Sequence, residues 1–269
     1  MDTANGTLAR PLGIERGITA VIGSGGKSTL LRVLGRELML AGSHVVLATS
    51  THMLPVAGVP WESATRRLTG TAWRMSGLHP AGCTCAQCSS PRGSICQAGV
   101  IDPDTGKLSA PRESFIELAR RFEYVLVEAD GSKRLPLKAH ASWEPVIPSG
   151  VANVIWIVGA SGLGKPIGEV VHRPELFCQI CGCTARDTAT PERVAAVMKA
   201  EMANLHLERA TVLLNQIDDG PTSSVVATRF QAALGSPIVA GSLRSGTLTR
   251  LEATTDPKVF PAANGRSRS

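Results

Sequence analysis

Aromatic side chains are scarce in this sequence, making up 4% of its 269 residues, and tyrosine occurs once. So few aromatic rings offer no stacking platform for single-stranded nucleic acid, and we do not expect nucleic acid as a partner. No apolar run approaches the roughly 20 residues that cross a bilayer, and residues 1–16 lack the apolar segment of a secretory signal. We therefore expect a cytoplasmic protein with no membrane partner.

Charge and cysteine content indicate further what kind of protein this is. The formal net charge of +6 is spread along the chain, which suits a protein that binds polyphosphates. Seven cysteines are an odd number, and disulfides are rare in the cytosol, so we expect thiols that are free, buried or metal-bound. With 43% hydrophobic residues, the chain can bury a large core.

Continuous apolar runs alternate with amphipathic stretches along most of the chain. The runs predict strands at residues 17–23, 44–49, 124–128, 153–158, 210–215 and 237–240, and the amphipathic stretches predict helices at 27–41, 115–122 and 191–205. Runs without polar alternation are typical of strands buried on both faces. The sequence therefore predicts an α/β fold with a doubly wound, mostly parallel sheet of the P-loop NTPase type.

The domain organisation follows from a shift in composition. Residues 54–111 are rich in cysteine, glycine and proline, and we interpret them as an insertion in a single α/β domain spanning 1–253. Residues 254–269 are predicted to be a disordered tail.

A glycine-rich loop, G-S-G-G-K-S-T, lies between the first predicted strand and helix. Its backbone N–H groups and the helix N-terminus would hold phosphates, Lys27 would reach the β and γ phosphates, and Ser28 would bind Mg²⁺. The full pattern would place its first glycine at Val21, so this loop is shorter. The alternative is a glycine-rich turn that binds nothing. The candidate nucleotide-binding residues are Gly23, Ser24, Gly25, Gly26, Lys27, Ser28 and Thr29.

Two carboxylates follow the strand predicted over 124–128. Glu128 and Asp130 lie on the same side of an extended strand, since residues i and i+2 share a face. A P-loop site needs a carboxylate at such a position for its metal ion. Spacing does not decide which one faces the metal; we assign Mg²⁺ to Ser28 and Asp130, and the alternative is a solvated strand end.

Basic residues come directly after these carboxylates. Lys133, Arg134 and Lys138 could neutralise charge on a transferring phosphoryl group, or they could form an exposed charged loop. We count Lys133 with Lys27, Glu128 and Asp130 as candidate catalytic residues, and we place Lys138 on the substrate side.

Three further segments end predicted strands. Thr51 either senses the γ-phosphate or belongs to a polar strand cap. The run 215–218, N-Q-I-D, resembles the N-K-x-D element that reads guanine, so Asn215 and Asp218 are candidate base contacts; an ordinary turn is the alternative. ATP and GTP therefore both remain candidate nucleotides.

The run 159–166 matches G-x-x-x-x-G-K, but Pro166 replaces the hydroxyl that would bind Mg²⁺. Lys165 is therefore either a second substrate contact or part of a tight turn.

Taken together, these motifs resemble the YqeC-type selenium cofactor biosynthesis proteins, accessory factors for selenium-dependent molybdenum hydroxylases. The most specific run is V-E-A-D-G-S-K-R-L-P-L-K over 127–138. The other matching segments are 23–29, 48–53, 143–148, 162–167 and 172–177.

The resemblance implies a nucleoside-triphosphate-dependent step in preparing or inserting a labile selenium cofactor. It implies that Lys27, Ser28, Glu128 and Asp130 carry the nucleotide chemistry, and that His172 and Arg173 belong to a substrate-side patch. The partners would be a selenium- or cofactor-linked small molecule and a molybdenum hydroxylase client.

The cysteines leave alternatives open. Cys83, Cys85, Cys88 and Cys96 could ligate zinc or an iron–sulfur cluster, although their spacing is irregular. Cys178, Cys181 and Cys183 are either small buried residues or include a thiol that carries selenium or sulfur. The motifs together leave two functions open. One is a phosphotransferase or NTPase that activates a cofactor-linked substrate, and the other is a nucleotide-gated carrier that delivers selenium or a metal cofactor through a cysteine site.

Overall fold

The structure is a computed structural model that describes residues 8–61, 93–218 and 220–253. The predicted tail at 254–269 and most of the predicted insertion, residues 62–92, lie outside the described residues. No helix in the described part of the chain is long and apolar enough to cross a bilayer.

The described chain contains strands and helices in alternation. The strands are β1 (Gly17–Gly23), β2 (His44–Thr49), β3 (His52–Met53), β4 (Ser94–Gln97), β5 (Val100–Ile101), β6 (Leu108–Ser109), β7 (Tyr124–Glu128), β8 (Leu137–Lys138), β9 (Val151–Gly159), β10 (Val171–His172), β11 (Thr211–Asn215), β12 (Ile238–Ser242) and β13 (Thr247–Leu251). The helices are α1 (Lys27–Leu40), α2 (Phe115–Arg121), α3 (Ile167–Val170), α4 (Pro174–Cys181), α5 (Pro191–Leu205) and α6 (Pro221–Leu234).

One eight-stranded sheet contains all six predicted strands, in the order β13-β12-β11-β9-β1-β7-β2-β4. Every pair in it is parallel except β12 with β13. The prediction of a large, mostly parallel sheet in an α/β fold is therefore confirmed. The central strand β1 lies between β7 and β9, with Val21 opposite Glu128.

Both faces of the sheet are covered, as the continuous apolar runs predicted. On one face, Ala20 and Ile22 pack in a core that includes residues of α5 and α6, and Ile18 packs with residues of α2. On the other face, Val21 packs against α1 through leucines at helical spacing. Burying each such leucine contributes roughly 1.5–3 kcal/mol.

Local signals explain where the helices begin. Thr190 caps α5 by accepting a hydrogen bond from the N–H of Arg193, and Pro191 occupies the first turn. Ser114 and Glu117 form a capping box at the start of α2.

Several elements carried no clear sequence signal. The helix α6 and the antiparallel edge strand β13 were not predicted, and neither were the small sheets β3-β6-β5 and β10-β8. Two-residue strands are too short to show a period, which explains most of these omissions. Within the predicted insertion, β4 pairs with β2 and forms an edge of the main sheet.

Candidate functional site

The chain leaves β1 and β9 in opposite directions along the sheet. From β1 it runs through α1 to β2, on the β7 side, whereas from β9 it runs through α5 to β11, on the other side. In open α/β sheets, ligands bind at the carboxyl ends of strands where the winding direction switches. The glycine-rich loop that follows β1 lies at this position.

The loop is shaped by close backbone approach. Gly25 has a φ of 91°, and a Cβ atom on it would overlap the backbone of Gly159 at the end of β9. The helix α1 then begins at Lys27 with no side-chain cap and no acidic residue in its first turn. The N–H groups of that turn therefore have no side-chain acceptor, which is the arrangement that favours an anion.

Lys27 is buried, with 4% of the residue exposed, and lies beneath the loop. Its ammonium donates to the carbonyl oxygen of Gly23 at 2.6 Å and lies 3.1 Å from Oδ1 of Asp130. It also donates to the Ser132 hydroxyl at 3.3 Å. The structure thus brings together the loop lysine and the segment that follows β7.

Asp130 is fully buried and holds several elements in place. Its Oδ2 accepts from the Gly23 N–H at 2.9 Å and lies 3.0 Å from the Lys138 ammonium and 2.7 Å from Nε2 of His140. Burial alone would raise the pKa of Asp130, but Lys27, the His140 hydrogen bond and Lys138 outweigh burial and hold it well below its usual range. Asp130 is therefore an ionised anion matched to buried cations.

Glu128, two residues earlier, faces the other part of the loop. The Ser28 hydroxyl donates to its Oε2 at 2.9 Å, and Ser28 is exposed while Glu128 is buried. Burial raises the pKa of Glu128, and Lys27 and the Ser28 hydrogen bond offset only part of that effect. A hydroxyl and a carboxylate are the hard oxygen ligands that Mg²⁺ takes when phosphates and water complete its shell. Ser28 with Glu128 therefore fits Mg²⁺ better than Ser28 with Asp130, because Asp130 already contacts Lys27, Lys138 and His140.

A second set of charges lies beside Asp130. Glu144 accepts from Lys138 and from Arg173, both at 2.7 Å through Oε2. The pairing of β8 with β10 places His172 opposite Lys138, so it brings the H-R-P-E segment to the end of β7. Three predicted substrate-side residues are thereby brought together. The fourth, Lys165, is exposed in the turn after β9.

Three further charged residues at this site, His140, Glu144 and Glu201, were not predicted as site residues. His140 lies between two carboxylates, with Nδ1 2.7 Å from Glu201 and Nε2 2.7 Å from Asp130. Burial alone would lower the pKa of His140, but these hydrogen bonds raise it above its usual value. A signal was present, because Glu201 falls one turn after Val197 on the buried face of α5, where a carboxylate requires a partner.

The remaining predicted contacts lie around the loop. Asn215 donates to the carbonyl of Gly25 at 2.7 Å and accepts from the N–H of Leu243 at 2.9 Å, so both its polar groups bind backbone. Asp218 is exposed after β11, and the Thr51 N–H donates to the Thr49 hydroxyl at 3.1 Å. Lys133 is exposed, and its backbone adopts the left-handed conformation with φ of 48°.

The cysteines are only partly within the described chain. Cys83, Cys85 and Cys88 lie outside the described residues. Burial raises the pKa of the Cys96 thiol, in β4, to about 12, and raises that of Cys181 to about 11. Among the described residues, no three His, Cys, Asp or Glu side chains are grouped so as to hold a metal ion.

Fold and site together define the class: a doubly wound α/β protein with a lysine-containing glycine loop against a pair of strand-end carboxylates. The family model described as "YqeC protein" matches residues 19–175. A curated relative, the "Uncharacterized protein YqeC" of Escherichia coli strain K12, is 31% identical over 186 residues, which cover 68% of this chain and 67% of the relative. The chain therefore belongs to the YqeC family.

The matched range contains Asp130 with Lys27, Lys138 and His140, and Glu144 with Arg173, and it ends before Cys178 and Glu201. No solved structure matches the chain significantly.

Proposed function

We propose that the chain is an enzyme that binds a nucleoside triphosphate with Mg²⁺ and either hydrolyses it or transfers its terminal phosphoryl group. The observation that carries the proposal is the 2.9 Å hydrogen bond between Ser28, in the first turn of α1, and Glu128, at the end of the neighbouring strand. Phosphoryl transfer in P-loop proteins uses these groups, a loop hydroxyl and a strand-end carboxylate at the metal beside a loop lysine.

Ser28 and Glu128 would hold Mg²⁺, directly or through water. The ion would neutralise charge on the phosphate oxygens. This modifies the assignment made from the sequence, which paired Ser28 with Asp130. We prefer Glu128 because the Asp130 side chain is 0% exposed and already binds Lys27, Lys138 and His140.

Lys27 would exchange one anion for another when nucleotide binds. In the structure its charge is matched by Asp130 at 3.1 Å, and a phosphate in the loop would offer a nearer or stronger partner. Asp130 would keep Lys138 and His140 as counter-charges. Lys133, exposed at the same strand end, is our candidate for neutralising the transferring group.

The proposed role is in the biosynthesis or insertion of a labile selenium cofactor for molybdenum hydroxylases. The motif resemblance supports this role, and the proposed nucleotide chemistry of the site does not depend on it. In a host that makes such a hydroxylase, deleting this chain should lower the labile selenium bound to the purified enzyme, measured with radioactive selenium. Complementing the deletion with the Lys27→Ala variant should not restore the bound selenium, whereas complementing it with the wild type should.

The nucleotide claim is tested by calorimetric titration with non-hydrolysable Mg-ATP and Mg-GTP analogues. We expect one of them to bind the wild type, and Lys27→Ala to weaken binding by about 100-fold or more, since a charged hydrogen bond contributes roughly 1.5–3 kcal/mol and Lys27 makes several. Lys199→Ala, which removes an exposed lysine of α5, is the matched control and should bind normally. Absence of binding by either nucleotide to the wild type would refute the proposal.

A further inference from the structure

Trp143 is the most exposed of the large hydrophobic side chains in the described chain. It is 71% exposed, in the segment between β8 and β9. A large aromatic ring left in water forgoes the burial that usually stabilises it, and an exposed ring offers a face on which a planar ligand can stack.

A guanidinium group already lies over this ring. The Cζ atom of Arg173 is 5.7 Å from the Trp143 ring centroid, within the range of a cation–π contact. Arg173 is also fixed by Glu144 at 2.7 Å, and its side chain is only 17% exposed. Ring and cation are therefore held in position before any ligand arrives, which lowers the entropy cost of binding.

The backbone of Arg173 is also held in a fixed conformation. Its φ is 65°, in the left-handed region that non-glycine residues seldom adopt and that costs about 1 kcal/mol or more. The pairing of His172 with Lys138 holds it there. Such conformations cluster at ligand sites, because the surrounding structure must impose them.

Cationic side chains lie around His172, which precedes Arg173 in the chain, and Glu144 offsets part of their charge. Burial and the charges of Arg173 and Lys138 lower the pKa of His172 to about 4, and Lys133 contributes in the same direction. The cations therefore lie close enough to act on one imidazole. His172 itself is neutral at pH 7 and can exchange hydrogen bonds with a ligand.

This surface adjoins the phosphate loop. The N–H of Val146 donates to the carbonyl of Ala129 at 2.9 Å, which fixes the Trp143 segment against the end of β7. Lys138 bridges the two groups of charges, because it contacts Asp130 on one side and Glu144 on the other.

We propose that Trp143, Arg173, His172 and Lys133 form a second binding site, for a small molecule with a planar aromatic ring and at least one anionic group. The ring stacks on Trp143, and the anion pairs with the cations beside it. We assign this molecule as the acceptor in the reaction driven by the nucleoside triphosphate, and that assignment rests on the proposed function. Its binding to the second site does not require nucleotide.

The test uses equilibrium dialysis with two probes, flavin mononucleotide and 1-naphthyl phosphate. Riboflavin, 1-naphthol and inorganic phosphate supply the ring or the anion alone. We expect each probe to bind about tenfold or more tightly than its separate parts, and Trp143→Ala to weaken binding by about tenfold or more. Trp143 is exposed, so the substitution should leave the fold intact, which circular dichroism can check.

Two further variants sharpen the result. Trp61→Ala removes another partly exposed tryptophan, 37% exposed, and should bind the probes as the wild type does. Ser28→Ala removes an exposed hydroxyl of the phosphate loop and leaves the buried ion pairs of Asp130 intact. It should retain probe binding while weakening binding of the Mg-nucleotide, so the second site and the nucleotide site can fail separately. The inference is overturned if neither probe binds, if Trp143→Ala binds them normally, or if Ser28→Ala abolishes their binding.

Discussion

At the scale of single residues, Asp130 organises the site by charge. One buried carboxylate contacts the loop N–H of Gly23 and the cationic groups of Lys27 and Lys138, and it orients His140. Removing one member of a buried ion pair costs roughly 3–5 kcal/mol, because the other charge stays buried without a partner. We therefore regard Asp130 as a positioning residue, and Glu128 as the carboxylate that faces the ligand.

His140 makes stability depend on pH in a defined direction. Its folded pKa is raised above the unfolded value of 6.5, so its protonated form stabilises the fold fully below pH 6.5. This contribution is lost as pH rises through the folded pKa. We expect the difference in unfolding free energy between wild type and His140→Gln to shrink as pH is raised from 6 to 9, measured by urea unfolding.

His172 should show the opposite dependence and serves as the control. Its folded pKa of about 4 lies below the unfolded value, so the unfolded chain takes up the proton first. The wild type should therefore lose stability relative to His172→Gln as pH falls from 6.5 to 4. Equal pH dependence in the two variants would contradict the charge assignments at both histidines.

At the scale of elements, the loop after β1 fits against the end of β9 only because the two residues in contact, Gly25 and Gly159, are both glycine. A Cβ atom on Gly159 would lie 2.7 Å from Oε1 of Gln216 and 2.9 Å from the Cα of Gly25. Asn215, at the end of β11, adds a hydrogen bond to the same loop. Three strand ends thus set the position of the phosphate loop.

We predict that Gly159→Ala displaces this loop. Overpacking typically costs about 1–3 kcal/mol of stability, and the displaced N–H groups should bind nucleotide about tenfold or more weakly. Gly131→Ala is the matched control, because a Cβ atom there has nothing within 4 Å. Thermal unfolding and nucleotide titration of both variants check the prediction, which would be wrong if the two behaved alike.

At the scale of the whole molecule, the candidate site rests on the middle of the sheet. The strand β1 is paired on both sides and is buried from Ile18 to Gly23, whereas β13 is a partly exposed edge strand. Amides that exchange only on global unfolding belong to such central strands. A rigid centre keeps the ends of β1 and β7 in register.

We therefore predict that amides of β1 and β7 exchange with deuterium most slowly and those of β13 at least about tenfold faster. Hydrogen-exchange mass spectrometry with peptides covering 17–23, 124–128 and 247–251 measures this. Comparable protection at Thr247–Leu251 would show that the edge belongs to the same cooperative unit as the centre.

Much of the fold could be predicted from the sequence, because the relevant signals are local. Continuous apolar runs gave the strands 17–23, 44–49 and 124–128 with the same bounds as the structure, and helical spacing after Pro191 gave α5. The order of loop glycines, Lys27 and Ser28 at a strand–helix junction is likewise a property of neighbouring residues, and it located the candidate site.

Other features were decided by the tertiary structure, because they depend on residues far apart in the chain. Spacing places Glu128 and Asp130 on one side of a strand, but only the packing of α1 and of residues 137–140 brings Ser28 to Glu128 and surrounds Asp130 with cations. His140 and Glu201 meet across 61 positions, and Trp143 meets Arg173 through the pairing of β8 with β10. The sequence by itself determined which chemical groups are present and which elements carry them. The folded chain decided which charges are paired, which are buried and which face a ligand, since burial and pairing exist only once distant segments are in contact.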